Sequence, residues 1–164
     1  IVDNPMALWI HDFDPSLPPA KLINQPRFDA ALQIVRAAYE DLITLRDRLS
    51  PNTHLLFHAY DFAIPDGRDI CHFGPWLKPT FDLRNFPTLN ARFEVTKAML
   101  QQFAAMLSGL ASAHAKVTFL NGQGTLTQVQ SSWHNELHPS KAGFTKFAEL
   151  FHQKLRQLFP GRVL

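Results

Sequence analysis

Apolar residues recur along this chain in helical stripes interrupted by short continuous apolar runs, and the changes between them mark out its elements. Phe28, Ala31, Leu32, Val35, Tyr39, Leu42 and Leu49 fall on one face of a helix, while Arg27, Asp29, Gln33, Arg36, Glu40 and Asp47 fall on the other. Pro26 suits the first turn of that helix, and Ser50-Pro51-Asn52 stops it. Residues 54–60 read as a strand, apolar on both faces through its centre as buried parallel strands are. A second helix is predicted over 90–113. Its stripe of Phe93, Leu100, Phe103, Ala104, Leu107 and Leu110 is widened by Val95, Met99 and Met106. Residues 116–120 form the second strand, ended by Asn121-Gly122-Gln123-Gly124. Strand, helix and strand in that order predict a parallel pair with a right-handed crossover. A third helix follows Ser140, a good N-cap, with Phe144, Phe147, Ala148, Phe151, Leu155 and Leu158 on one face.

Two stretches lack a period. Residues 1–25 are rich in Pro, Asp and Asn, with Met6-Ala7-Leu8-Trp9-Ile10 as their apolar part, and read as loop with a short helix at most. Residues 62–87 carry Pro65, Pro75, Pro79 and Pro87 among several aromatics. That is too long for an ordinary connection and is assigned as a functional loop. The fold class is therefore α/β, but two strands make too little sheet for three long amphipathic helices. An apolar face or a sheet edge completed by other polypeptide is expected.

Composition narrows the function. The chain has 164 residues, 46% of them hydrophobic and fourteen of them Phe. That is enough for one domain with a packed core. A net charge of +2 without a basic cluster gives no reason to expect nucleic acid. No apolar run approaches the roughly 20 residues of a membrane span, so no integral membrane segment is expected. The single cysteine, Cys71, excludes an internal disulfide framework and leaves the compartment open.

The strongest chemical signal lies in Trp133-His134-Asn135-Glu136-Leu137-His138-Pro139-Ser140. Pro139 disfavours helical geometry at His138, so the imidazole precedes the last helix. A histidine held just ahead of a packed helix is well placed as a general base. Tyr60, Asp61, Trp76 and Trp133 lie in loops or at strand ends, where open α/β sheets carry their sites. They are candidates for a substrate pocket; the alternative is that the aromatics only cap the edge of the core. His134, Glu136 and His138 invite a metal reading, but Glu136 is one place off the zinc-protease order and Pro139 argues against a helix there. Cys71-His72 reads as a chance neighbour pair. No metal and no cofactor is assigned.

Asn135-Glu136-Leu137-His138-Pro139, followed by Gly143-Phe144, resembles the last motif of the SGNH hydrolases, also called the GDSL lipase/esterase superfamily. That motif is Asp-x-x-His, usually followed by proline and a helix. The stretch from His58 to Pro65 is similar to the end of the family's fourth strand, and Gly74-Pro75-Trp76-Leu77 to part of a long loop beyond it. Ile1-Val2-Asp3-Asn4-Pro5 resembles the residues after its Gly-x-Asn-Asp motif. The resemblance implies a three-layer α/β/α fold of flavodoxin-like type. Residues 1–164 would be the C-terminal part of one such domain, with two parallel strands and three main helices. The first three strands, the nucleophilic serine and the oxyanion donors would lie upstream, and no Gly-Asp-Ser or Gly-x-Ser-x-Gly occurs here.

The implied activity is carboxylic ester hydrolysis through a serine acyl-enzyme, with His138 as base and the upstream segment and an ester as partners. Asn135 departs from the family's aspartate. Its amide oxygen can accept the imidazole N–H, but it brings no charge to an imidazolium. Another carboxylate, such as Asp61, is the alternative partner, and Glu136 ranks below both. The readings from other classes are a non-catalytic binding or accessory domain that retains the fold, and a complete small protein that has drifted from the family.

Overall fold

A computed structural model of the chain describes residues 5–69, 74–127 and 130–162. The Cys71-His72 pair and the first four residues lie outside them. Among the described residues the fold is mixed α/β, with four α-helices and a two-stranded parallel sheet. The order is α1 (Gln25–Leu49), β1 (Leu55–His58), α2 (Lys78–Leu83), α3 (Leu89–Ala113), β2 (Val117–Leu120) and α4 (Lys141–Leu158). Short 3-10 turns occupy Pro5–Leu8, Pro19–Leu22 and Gln130–Ser132. Local chemistry sets several ends. Thr88 Oγ1 accepts from the Ala91 N–H at the start of α3, and Ser140 Oγ accepts from the Gly143 N–H at the start of α4. Pro26 and Pro79 sit in the first turns of α1 and α2, where the missing N–H costs nothing.

The strands pair in register from Leu55 with Val117 to His58 with Leu120. Alternation then sends their side chains to two different sets of helices. Leu55, Phe57, Val117 and Phe119 join Ile43 and Tyr39 of α1 and Leu107 and Leu110 of α3 in one core cluster. The Tyr39 and Phe57 rings meet edge to face at 4.7 Å. On the opposite side His58 packs on Phe151, and His54, just ahead of β1, packs on Phe159. The His54 ring also bonds Thr118 Oγ1 at 2.7 Å. These two histidines share a face and meet the end of the chain through aromatic contacts. Arg46 ties α1 to the amino ends of both strands, donating to the carbonyls of Thr53, Ala115 and Lys116.

Two sequence expectations change. Residues 62–87 contain α2, whose six residues are too few to display a helical period. The α1 stripe is covered in part: Phe28 is buried and Ala31, Leu32 and Tyr39 are half-buried, whereas Val35, Leu42 and Leu49 are exposed, Leu49 at 69%, and the helix buries Ile43 and Arg46, outside the predicted stripe, instead. The cause is the narrowness of a two-stranded sheet, which supports α1 only near Tyr39 and Ile43. Ile34, Leu45 and, on α4, Phe144 are exposed as well. Each strand is paired along one edge only among the described residues. No described helix is long and apolar enough to cross a membrane.

Candidate active site

His138 sits on a tight loop between β2 and α4, and the loop is closed by its own backbone. Trp133 and Pro139 form an antiparallel bridge, and the His134 N–H donates to the His138 carbonyl at 2.8 Å. The Ser140 N–H donates to the Ser132 carbonyl at 2.9 Å. Gly143, in the first turn of α4, presses on this loop: a Cβ there would lie 2.5 Å from the Ser132 carbonyl oxygen and 2.9 Å from Pro139 Cβ. Only glycine admits that approach, so the start of α4 and the histidine loop form one packed unit.

The Asn135 side chain organises the interior of the loop. It is 1% exposed. Its Oδ1 accepts from the backbone N–H groups of Leu137 at 2.8 Å and His138 at 2.7 Å, and lies 3.1 Å from His138 Nδ1. The two backbone groups can only donate, which identifies the amide atom facing them as the oxygen. Nδ1 must therefore carry the hydrogen, and the lone pair resides on Nε2. Nε2 has no protein partner among the described residues, and His138 is exposed. The imidazole is thus held in the tautomer that a general base requires, with its basic nitrogen open.

Glu136 points the other way. It is fully buried, and its carboxylate accepts four backbone N–H groups from the long loop: Gly67 and Lys78 on Oε1, both at 2.9 Å, and Trp76 at 2.6 Å and Leu77 at 2.7 Å on Oε2. A buried carboxylate is costly unless its lone pairs are filled, and here they are. Arg68 adds a second tie, donating from Nη1 to the Trp133 carbonyl at 2.9 Å. The long loop is therefore fastened to the histidine loop at two places. Sequence reasoning ranked Glu136 below Asn135 and Asp61 and missed this role, because its partners are main-chain groups some sixty residues away and leave no mark on residue type.

Asp61 does not hold His138. It is buried at the end of β1, and its carboxylate accepts from the N–H groups of Phe62, Gly124 and Leu126, each at 2.7 Å. It staples the exit of β1 to the turn after β2, and Asn135 takes the place beside the imidazole.

An apolar cavity of about 480 Å³ opens beside His138, walled by His58, Tyr60 and Asp61 from the carboxyl end of β1, by Trp133, and by Phe147 and Phe151 of α4. Four of the six residues singled out from the sequence therefore share this cavity. Burial pushes the Tyr60 phenol up to about 12, so it stays protonated and neutral at ordinary pH. Trp133 is 2% exposed, and its buried Nε1 has no partner among the described residues. Trp76 reaches the site from another side, its indole edge to face with the His138 imidazole at 6.0 Å. His134 is exposed, and no group of three or more potential metal ligands converges among the described residues. No protein-family model, curated protein or solved structure matches this chain.

Proposed function

We propose that this chain is the histidine-bearing part of a serine-dependent carboxylic ester hydrolase of SGNH type. His138 is the general base, and the nucleophilic serine and oxyanion donors are supplied by an upstream segment. The observation that carries this reading is the Asn135–His138 pair, with Nδ1–H fixed by Asn135 and Nε2 left basic and open beside an apolar cavity. Two features support it further. Helices contact both faces of a parallel strand pair, as a three-layer α/β/α domain requires. The cavity also lies at the carboxyl end of β1, where such domains place their sites.

In the proposed reaction Nε2 takes the proton of the serine hydroxyl as its oxygen attacks the ester carbonyl. The tetrahedral intermediate collapses by breaking the bond to the alkoxide, which leaves as an alcohol with the proton from Nε2. Water, deprotonated by the same nitrogen, then releases the acid and restores the serine. Asn135 keeps the tautomer throughout but brings no charge to the imidazolium.

The test is hydrolysis of a p-nitrophenyl ester by the chain alone and by the chain joined to the segment encoded ahead of it. Activity only in the joined protein, abolished by a serine-directed phosphonate, is the expected result. Phosphonate-sensitive turnover by the chain alone refutes an upstream nucleophile. A folded, joined protein that binds but never cleaves esters makes the chain a binding domain instead.

The role of Asn135 has its own test. A carboxylate oxygen can accept the same three bonds, so Asn135→Asp should leave the loop in place and add charge beside Nδ1. The Nδ1–H should be held more firmly and its proton resonance should move downfield, because a charged acceptor makes the stronger hydrogen bond. Proton NMR of the imidazole checks this, and an unmoved Nδ1–H resonance separates Asn135 from the ring.

A further inference from the structure

We propose that the cavity beside His138 takes a long, uncharged hydrocarbon chain of the substrate, and that the contact between Gly122 and Phe147 sets how long a chain it admits. This rests on the hydrolase reading and names the substrate class of its site. The walls of the cavity carry the first half. Among the described residues no Lys, Arg or Glu lines it. Asp61 spends its carboxylate on three N–H groups, Tyr60 is neutral, and the His58 ring packs on that of Phe151. A charged group inside would find no partner beyond His138, whereas a hydrocarbon chain gives up only water. A closed cavity of about 150 Å³ holds benzene, so about 480 Å³ has room for a chain of about ten carbons.

Gly122 and Phe147 carry the second half. Gly122 is buried in the turn after β2, and a Cβ there would lie 2.5 Å from Phe147 Cε1. Both backbones are held. The Thr125 N–H donates to the Gly122 carbonyl, and Asp61 takes the N–H groups of Gly124 and Leu126. Phe147 stands on α4, whose first turn is packed on the histidine loop at Gly143. A side chain at position 122 must therefore turn the Phe147 ring, and the open space beside that ring is the cavity. The absence of a side chain at Gly122 lets Phe147 stand back as a wall.

The experiment is isothermal titration calorimetry of 1-alkanols from butanol to dodecanol, on the polypeptide alone and on the joined protein. No ester is cleaved, so this result and the hydrolase reading stand or fall separately. Affinity should rise roughly three- to fourfold per methylene and level off once the cavity is full. Gly122→Ala should bring that plateau forward by about two carbons, because a ring turned inward and a close-packed chain cannot share the space. Phe147→Ala opens the wall and should delay it. Where Gly122→Ala does not fold, Phe147→Ala decides alone. A plateau that the folded variants leave unmoved overturns the role of the pair, and affinity independent of length overturns the assignment of the cavity. Binding lost in the joined protein overturns it too, because the upstream segment then fills the space. In the joined protein, p-nitrophenyl esters of lengthening acids and acetates of lengthening alcohols tell which side of the ester supplies the chain. A matching plateau in either series supports the proposal, and turnover blind to length in both overturns it while leaving the hydrolase reading intact.

Discussion

Replacing His138 with alanine in the joined hydrolase should lower ester turnover by at least about a thousandfold, with the loss in kcat rather than KM. On the proposed reading the imidazole acts on the proton in flight and contributes little to ground-state binding. Stability should hardly change, by about 0.5 kcal/mol or less, because the ring is exposed and its loop is closed by bonds other than its own. Steady-state kinetics and a urea melt on the same preparation separate the two quantities. Near-normal turnover by a folded His138→Ala protein rules out His138 as the base.

Asp61→Ala should produce the opposite pattern, a large loss of stability. Removing the carboxylate strands the N–H groups of Phe62, Gly124 and Leu126, the last of them in the core. The buried Leu126 donor left unsatisfied costs about 1–3 kcal/mol, whereas half-buried Phe62 and exposed Gly124 can turn to water, so the loss is about 2 kcal/mol. The shift in urea midpoint measures it, with Asp12→Ala as control. Asp12 bonds Arg84 at the exposed surface, and its removal should cost less than about 1 kcal/mol. Equal losses in the two variants would mean that Asp61 is not the staple between the ends of β1 and β2.

What could be read from the sequence follows from how each feature is encoded. The long helices and both strands announced themselves because burial repeats with the period of the backbone, and the parallel pairing followed from strand, helix and strand in order. The position of His138 before α4 was legible from Pro139 and Ser140, whose effects are local. Other features were hidden. The α2 helix is shorter than two turns. The exposed side of α1 looks apolar in sequence, and no pattern says how wide a sheet lies beneath it. Asp61 and Glu136 were the hardest, since their oxygens bond to amide hydrogens that every residue but proline possesses. Asn135 was proposed from its offset to His138, and the geometry adds that its oxygen also serves two backbone donors.

The grip of Glu136 on the long loop bears on how such a site can change over time. The anchor recognises main chain, so Trp76, Leu77 and Lys78 are held by features that a substitution leaves intact, proline excepted. Gly67 is constrained separately by its positive φ of 91°. Along Trp76, Leu77 and Lys78 the anchor acts like a frame behind an interchangeable facing: the side chains can change while the main chain keeps its bonds. On the proposed reading, variation at these half-buried positions would tune selectivity without dismantling the base, whereas Ile64, Phe81 and Phe86, buried in the core, are fixed by packing.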